Sequence, residues 1–483
     1  MKISKIIIFL IALIQISCSE TTPPEPFGAI PSQRQQEWHK MKYYAFIHFS
    51  PNTFTNKEWG YGDESPADFN PTELDCRQWA RVAKEAGMEG IIITAKHHDG
   101  FCLWPSAFTE HSIKNSPWKD GKGDILRELR NACDEYGLKL GVYLSPWDRN
   151  HEAYGTPEYI DYYRNQLREL LTNYGEIFEV WFDGANGGDG YYGGSNEIRK
   201  IDNKTYYDWP NTRKIVRELQ PMAAMFSDGG PDIRWVGNER GYANETNWST
   251  INGGNLYPGV GGVNKQLQNG DEDGDTWLPA EVDVSIRPGW FYHEEQDSLV
   301  KSVDQLVDIW LHSVGMNSNL LLNLPPDRRG LIHQNDVARL MEFKAYRDRA
   351  FSVDLTDGAS INASNVRGKS SKFSPDLVLD DSAETYWSTK DEITSASLEI
   401  HFGKTVEMNT ILIQENIALG QRVKSFSVEA LMGKEYVEIT SGTTIGNRRI
   451  VQFEKTASSI VRINIEAKAC PVISNLEVYL TPN

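Results

Sequence analysis

Asp183 stands in the stretch Glu179-Val-Trp-Phe-Asp-Gly184, an apolar segment that ends in a carboxylate and a glycine. Such a segment buries its stem, and a glycine after it lets the chain turn away so that the carboxylate faces an open edge. Alone, this aspartate would serve equally well as a helix N-cap or a loop residue. Paired with a second carboxyl it gains a chemistry. One group attacks an acetal carbon, while the other protonates the departing oxygen and then activates water. The second group must keep its proton near neutral pH, which requires a raised pKa. Asp228, Asp232, Glu239, Glu245 and Glu281 are the candidates, and their order along the chain does not choose between them. Other polar and aromatic residues also follow apolar runs: His48, Lys96-His97-His98-Asp99, Ser145-Pro146-Trp147, Ser227-Asp228, and shortly afterwards Arg234-Trp235 and Glu239.

The runs that precede these residues read as buried strands: Tyr43–Phe49, Gly90–Ala95, Leu138–Leu144, Ile177–Phe182, Ala223–Phe226 and Asn319–Leu324. Helical patterns lie between them over Asp75–Ala86, Asp124–Tyr136, Pro157–Tyr174, Asn211–Leu219 and Gln296–Val314. Repeated strand–helix units with continuously apolar strands indicate a parallel sheet covered by helices. Their number predicts an α/β fold, a (β/α)8-like TIM barrel over residues 36–350. In such a barrel the chemistry sits at the C-terminal ends of the strands. Residues 228–290 show no clean helix, so that part is expected to be irregular or inserted. After Phe351 the pattern changes to short alternating stretches, among them Leu398–Phe402, Thr410–Gln414, Ser425–Leu431, Ile450–Phe453 and Ile460–Ile465. These predict an antiparallel β-sandwich over 351–483.

Six blocks now stand in order: His48-Phe-Ser50, Glu58-Trp-Gly60, Lys96 to Phe101, Trp181-Phe-Asp-Gly184, Pro231 to Glu239 and Ser285-Ile-Arg-Pro-Gly-Trp290. Together they resemble the glycoside hydrolase family 29 α-L-fucosidases. The resemblance implies a retaining hydrolase of terminal fucose that uses no metal or other cofactor. It implies that Asp183 is the nucleophile. The Gly237-Asn-Glu239 block resembles the subfamily acting on α1,3- and α1,4-linked fucose, whose glutamate is the acid/base, here Glu239. Glu281 is the reserve for that role and Glu245 the third choice. The Gly187–Tyr207 loop is longer than in many members, so the pairing rests on the motif. The two carboxylates should meet about 5 Å apart across a shared cavity.

Fucose offers three hydroxyls and a methyl group. His48, Glu58, His97, His98 and Arg234 are expected to bind the hydroxyls, and Trp59, Trp181 and Trp290 to stack or hold the methyl. Tyr143 either borders the pocket or faces the barrel core. His97 and His98 could instead suggest a metal pair, but adjacent strand residues point to opposite faces, so no metal is expected there. The acidic run Asp271–Asp275 lacks the length and closing glutamate of a calcium loop and reads as solvated. Gly253–Gly262 reads as a flexible rim loop. Cys76, Cys102, Cys133 and Cys470 read as small buried hydrophobes.

The C-terminal region, with Leu379 to Trp387 and Leu398 to Phe402, resembles the discoidin-like sandwich of coagulation-factor type C domains and carbohydrate-binding modules. Glycan targeting and bracing of the barrel are equal readings for it, and Trp387 reads as core.

The formal charge of −18 disfavours nucleic acid as a partner and electrostatic docking on anionic lipid. Fourteen Trp and 21 Tyr suit the apolar faces of sugar rings. At the N-terminus, Lys2 and Lys5 precede the apolar run Ile6–Ile14, which is too short to span a bilayer. Residues 1–18 therefore read as a lipoprotein signal peptide, with lipid on Cys18 as the membrane link and residues 19–35 as a tether; simple secretion is the alternative. This places the protein in the periplasm or on the outer surface of a Gram-negative bacterium. Two other functions remain open on the sequence: a non-catalytic glycan-binding lipoprotein, and a hydrolase of a related sugar such as a galactoside.

Overall fold

The computed structural model describes residues 21–380 and 382–482; the segment expected to be a signal peptide, with Cys18, lies outside them. Eight parallel strands close a barrel in chain order: β1 Tyr43–Ile47, β2 Gly90–Lys96, β3 Lys139–Leu144, β4 Ile177–Trp181, β5 Ala224–Ser227, β6 Ile233–Trp235, β7 Ala280–Ser285 and β8 Asn319–Asn323, with β8 pairing back to β1. Around it lie α1 Gln33–Met41, α2 Cys76–Glu85, α3 Ile125–Tyr136, α4 Pro157–Asn173, α5 Trp209–Leu219, α6 Val303–His312 and α7 Gln334–Ala350. Local chemistry sets their ends. The Asp75 and Asp124 side chains accept the first-turn N–H groups of Arg77 and Arg127. Gly137 ends α3 in the left-handed conformation at φ 65°. Helix α6 begins at Val303, later than its apolar pattern suggests, because Ser302 and Gln305 form a capping box there.

The irregular part is located between β5 and β7. Only residues 228–232 join the parallel neighbours β5 and β6, without the usual crossover helix. Residues 236–279 hold one short helix, Asn264–Asn269, and a ribbon of Thr250–Ile251 with Thr276–Trp277.

The C-terminal unit is antiparallel: β9 Ser360–Ala363, β10 Trp387–Ser388, β11 Ser395–Glu415, β12 Val423–Met432, β13 Glu435–Gly442, β14 Arg449–Ala467 and β15 Val472–Tyr479. The segments expected as separate strands at 398–402 and 410–414 are two halves of β11, and those at 450–453 and 460–465 are halves of β14. Register shifts between them bend the ladder, so the buried positions change from Leu398 and Ile400 to Ile411 and Ile413. Trp387 is core.

This unit is built onto the barrel. Leu412, Ile450 and Tyr479 belong to the barrel's own hydrophobic cluster. Ile450 donates its N–H to Gly315 O and Asn317 donates to Arg448 O, both over 2.9 Å, on the segment that feeds the start of β8. The acidic run is only partly free: Asp273 pairs with Lys468 at 2.6 Å. Residues 21–31 are not a loose tether either. Arg367 and Arg422 donate to Thr22 O and Glu25 O, and Phe27 N–H to Leu419 O, which holds the segment against the sandwich. Among the described residues the four cysteines, Cys76, Cys102, Cys133 and Cys470, are buried and free.

Candidate active site

A cavity of about 250 Å³ opens at the C-terminal ends of the strands. It brings together Asp183, Glu239, His48, Glu58, Trp59, His97, His98, Tyr143, Trp181 and Trp290. Phe46, Asp228, Trp235 and Asp283 join them.

Asp183 follows β4. Its Oδ2 accepts the Tyr143 hydroxyl at 2.9 Å and lies 3.9 Å from His98 Nε2. Its Oδ1 accepts the N–H of Ala185 at 2.7 Å. Tyr143 is therefore both core and pocket: its ring is buried in the barrel and its hydroxyl reaches the carboxylate. Gly184 matters for a reason other than backbone freedom, since its φ is not positive. A methyl group there would overlap the Asp228 carboxylate. Asp228 accepts the N–H of Gly259 at 2.8 Å, so it ties the 253–262 loop to the nucleophile side of the cavity. Burial, then the charge of Asp183, pushes its pKa up to about 7.

Glu239 comes from the long β6–β7 connection. Its side chain opens onto the cavity, so it is solvent-accessible, but protein surrounds its other sides. That partial burial, with the charges of Asp183 and Glu58, raises its pKa against the lowering effect of the Trp290 indole, which donates to Oε2 at 3.3 Å. Glu58 fixes the loop that carries Trp290. It accepts the N–H groups of Trp290 and Phe291 and meets His293 Nε2 at 2.6 Å.

His48, His97 and His98 are buried side by side. Desolvation lowers all three, His48 to about 3, His98 to about 4 and His97 well below its usual value. Neutral imidazoles can both donate and accept, which suits hydroxyl groups. His48 Nδ1 is held by Asn323 Oδ1 at 2.8 Å, and His98 Nδ1 by Ser145 Oγ at 2.7 Å. Among the described residues His97 Nδ1 has no hydrogen-bond partner. The opposite-faces expectation for His97 and His98 is corrected. β2 ends at Lys96, and in the turn that follows both rings reach the cavity, 4.1 Å apart. Among the described residues no group of three or more His, Cys, Asp or Glu is arranged to hold a metal ion.

Two expected site residues lie elsewhere. Strand alternation sends Ile233 and Trp235 inward and Arg234 outward. There the buried guanidinium donates to Leu267 O, Leu278 O, Asn247 Oδ1 and Trp248 O, which makes Arg234 a clasp for the irregular segment. Glu281 points inward on β7 but lies beneath the cavity, where it accepts the Trp181 indole N–H at 2.8 Å and the Tyr44 hydroxyl. Of the other carboxylate candidates, Asp232 pairs with Arg217 and Glu245 with Arg449 at the sandwich. Asp283, two residues beyond Glu281, lines the cavity and accepts the Trp235 indole N–H at 2.8 Å. It was not foreseen, although the alternation of Ala280–Ser285 contains the signal.

Comparison with known proteins agrees with this geometry. The alpha-L-fucosidase family model matches residues 26–349 and the F5/8 type C domain model residues 360–478. Alpha-L-fucosidase 1 of Arabidopsis thaliana is 42% identical over 98% of this chain and 92% of its own length. A glycoside hydrolase 29 family member from an unknown rumen bacterium superposes with a TM-score of 0.84 at 49% identity, over 95% of this chain and 78% of that one. A Ruminococcus gnavus GH29 fucosidase in complex with fucose gives 0.85 at 32%, over 96% and 97%. With its closed barrel, its carboxylate-lined rim and these relatives, the chain belongs to the alpha-L-fucosidase family of glycoside hydrolases.

Proposed function

We propose that the protein hydrolyses terminal α-L-fucose by double displacement, with Asp183 as nucleophile and Glu239 as acid/base. The observation that carries this reading is the meeting of these two carboxyls in one cavity beside three buried histidines. Asp183 is oriented by Tyr143 and Ala185 for attack on the anomeric carbon. Glu239, with its raised pKa, protonates the leaving oxygen, and the glycosyl-enzyme then forms on Asp183. Glu239 next takes a proton from water, which releases fucose with its configuration kept. His48, His97, His98 and Glu58 serve the hydroxyls, and Trp59, Trp181 and Trp290 the apolar faces.

The Gly237-Asn-Glu239 block and the placement of Glu239 on a long rim loop support α1,3- and α1,4-linked substrates. The test is proton NMR of the first-formed fucose anomer, with nitrophenyl fucoside and Lewis-type oligosaccharides as substrates. Retention and cleavage of the branched glycans support the reading. An inverted first product, or turnover of galactosides in preference to fucosides, would overturn it. Lys2, Lys5 and the apolar run before Cys18 support export and lipidation. Mass analysis of the mature N-terminus, against a Cys18→Ala variant, tests that part.

A further inference from the structure

Beneath the cavity floor lies a buried pair of carboxyls that the reaction above does not use. Glu179, on β4, accepts the Trp38 indole N–H at 3.0 Å. Glu281, across the barrel interior on β7, accepts Trp181 Nε1 at 2.8 Å and the Tyr44 hydroxyl. Both carboxyls are completely enclosed. Burial raises both, Glu179 the more strongly because the charge of Glu281 adds to it. Two neighbouring buried carboxyls resist ionising together, so the pair holds a proton. Glu281 is then a firmly seated acceptor with the Trp181 indole as one of its donors.

What Trp181 does next gives the pair its meaning. Its ring stacks on Phe226 at 4.1 Å and 9°, and on Tyr143 at 5.3 Å and 27°. Tyr143 in turn gives its hydroxyl to Asp183. A continuous line of contacts thus runs from Glu281 through Trp181 and Tyr143 to the carboxylate at the rim.

We propose that Glu281 is a positioning residue: by accepting the Trp181 indole N–H it fixes the ring against which Tyr143 is stacked, and so sets the aim of Asp183. This rests on the reading of Asp183 as nucleophile. It excludes Glu281 from acid/base duty, because the side chain does not reach the cavity.

The test is steady-state hydrolysis of nitrophenyl fucoside by the full chain, with each variant expressed as a ratio to wild type. Turnover by wild type tests the functional reading on its own, and the ratios test the inference. Glu281→Gln keeps an oxygen acceptor for the indole and is expected to stay within about threefold of wild type. Glu281→Met removes it and is expected to lower kcat about tenfold, the effect of losing one buried hydrogen bond, with KM nearly unchanged. Azide should not rescue this variant, as it would an acid/base mutant. In a Trp181→Phe background the Glu281→Met change should lower kcat no further, since its route to Asp183 is already cut. If Glu281→Met is insoluble, Trp181→Phe with Glu281 intact should give the same kcat loss. Wild-type kcat in either single variant, full additivity in the double variant, or rescue by azide would overturn the proposal.

Discussion

Tyr143 and Asp183 are joined by a 2.9 Å hydrogen bond from the phenol to Oδ2, the one side-chain donor that reaches the carboxylate within hydrogen-bond distance among the described residues. The partner comes from the core, so the nucleophile is aimed by a ring that cannot swing. Tyr143→Phe keeps the stacking and removes the donor. A hydrogen bond to a charged group is worth about 1.5–3 kcal/mol, so kcat/KM for nitrophenyl fucoside should fall roughly 10- to 150-fold. A variant with wild-type kinetics would show that the bond does not orient the attack.

Glu239→Ala should separate substrates by leaving group. Nitrophenol departs without protonation, so its glycosylation step is spared, while a sugar leaving group needs the proton. Turnover of Lewis-type oligosaccharides is expected to fall about 10²- to 10⁴-fold. Azide should restore fucoside turnover by replacing the activated water. Equal losses on both substrates would move the acid/base to another residue.

The pH profile has a definite direction. Glu239 acts as an acid and its pKa is raised, chiefly by partial burial. Activity on natural glycans is therefore kept to higher pH than an ordinary glutamate would allow, and it falls as pH rises through that raised value. Trp290→Phe removes a hydrogen bond that favours the ionised form. The alkaline limb of kcat/KM should therefore move upward in this variant. A downward shift would contradict the assignment.

Asp228 makes a prediction about stability. In the folded protein it keeps its proton up to about pH 7, whereas the unfolded chain releases it near 3.8. Between these values the native form binds more protons, so this group's contribution is complete below about 3.8 and is lost as pH rises through 7. Asp228→Asn removes the dependence and keeps an acceptor for Gly259. Relative to wild type, its Tm should rise by about 1–3 °C between pH 5 and pH 8 in matched thermal melts. A constant offset would argue that Asp228 is ionised throughout.

Because barrel and sandwich share packed residues, the two are expected to melt together. Ile450 is 3% exposed and packs in the barrel cluster. Ile450→Ala should cost about 3 kcal/mol, and calorimetry should still show a single transition in which both parts melt. Separate transitions would mean that the contact does not couple them.

Much of this was legible in the sequence, and the gaps have physical causes. Six strands and the rim residues after them could be read because buried parallel strands are continuous apolar runs. β6 was missed because it has only three residues, one of them Arg234. β7 was missed because its inward positions carry Glu281 and Asp283, so the strand does not look apolar. Glu281 and Asp283 make the barrel interior polar along β7, where they hold the indoles of Trp181 and Trp235. Arg234 was misassigned because a motif names a residue but not the face of the strand it occupies. The 21–31 segment looked loose by composition, yet Arg367 and Arg422, more than 300 residues away in sequence, tie it down.

The most direct test of the central claim is to identify the residue that carries the glycosyl-enzyme. A 2-fluorinated fucosyl donor with a good leaving group slows deglycosylation, and peptide mass spectrometry of the trapped protein locates the sugar. The account requires the added mass on the peptide containing Asp183, and its absence in Asp183→Ala. A label on Asp228, Glu239 or Asp283, or time-dependent inactivation that survives the Asp183 substitution, would contradict it.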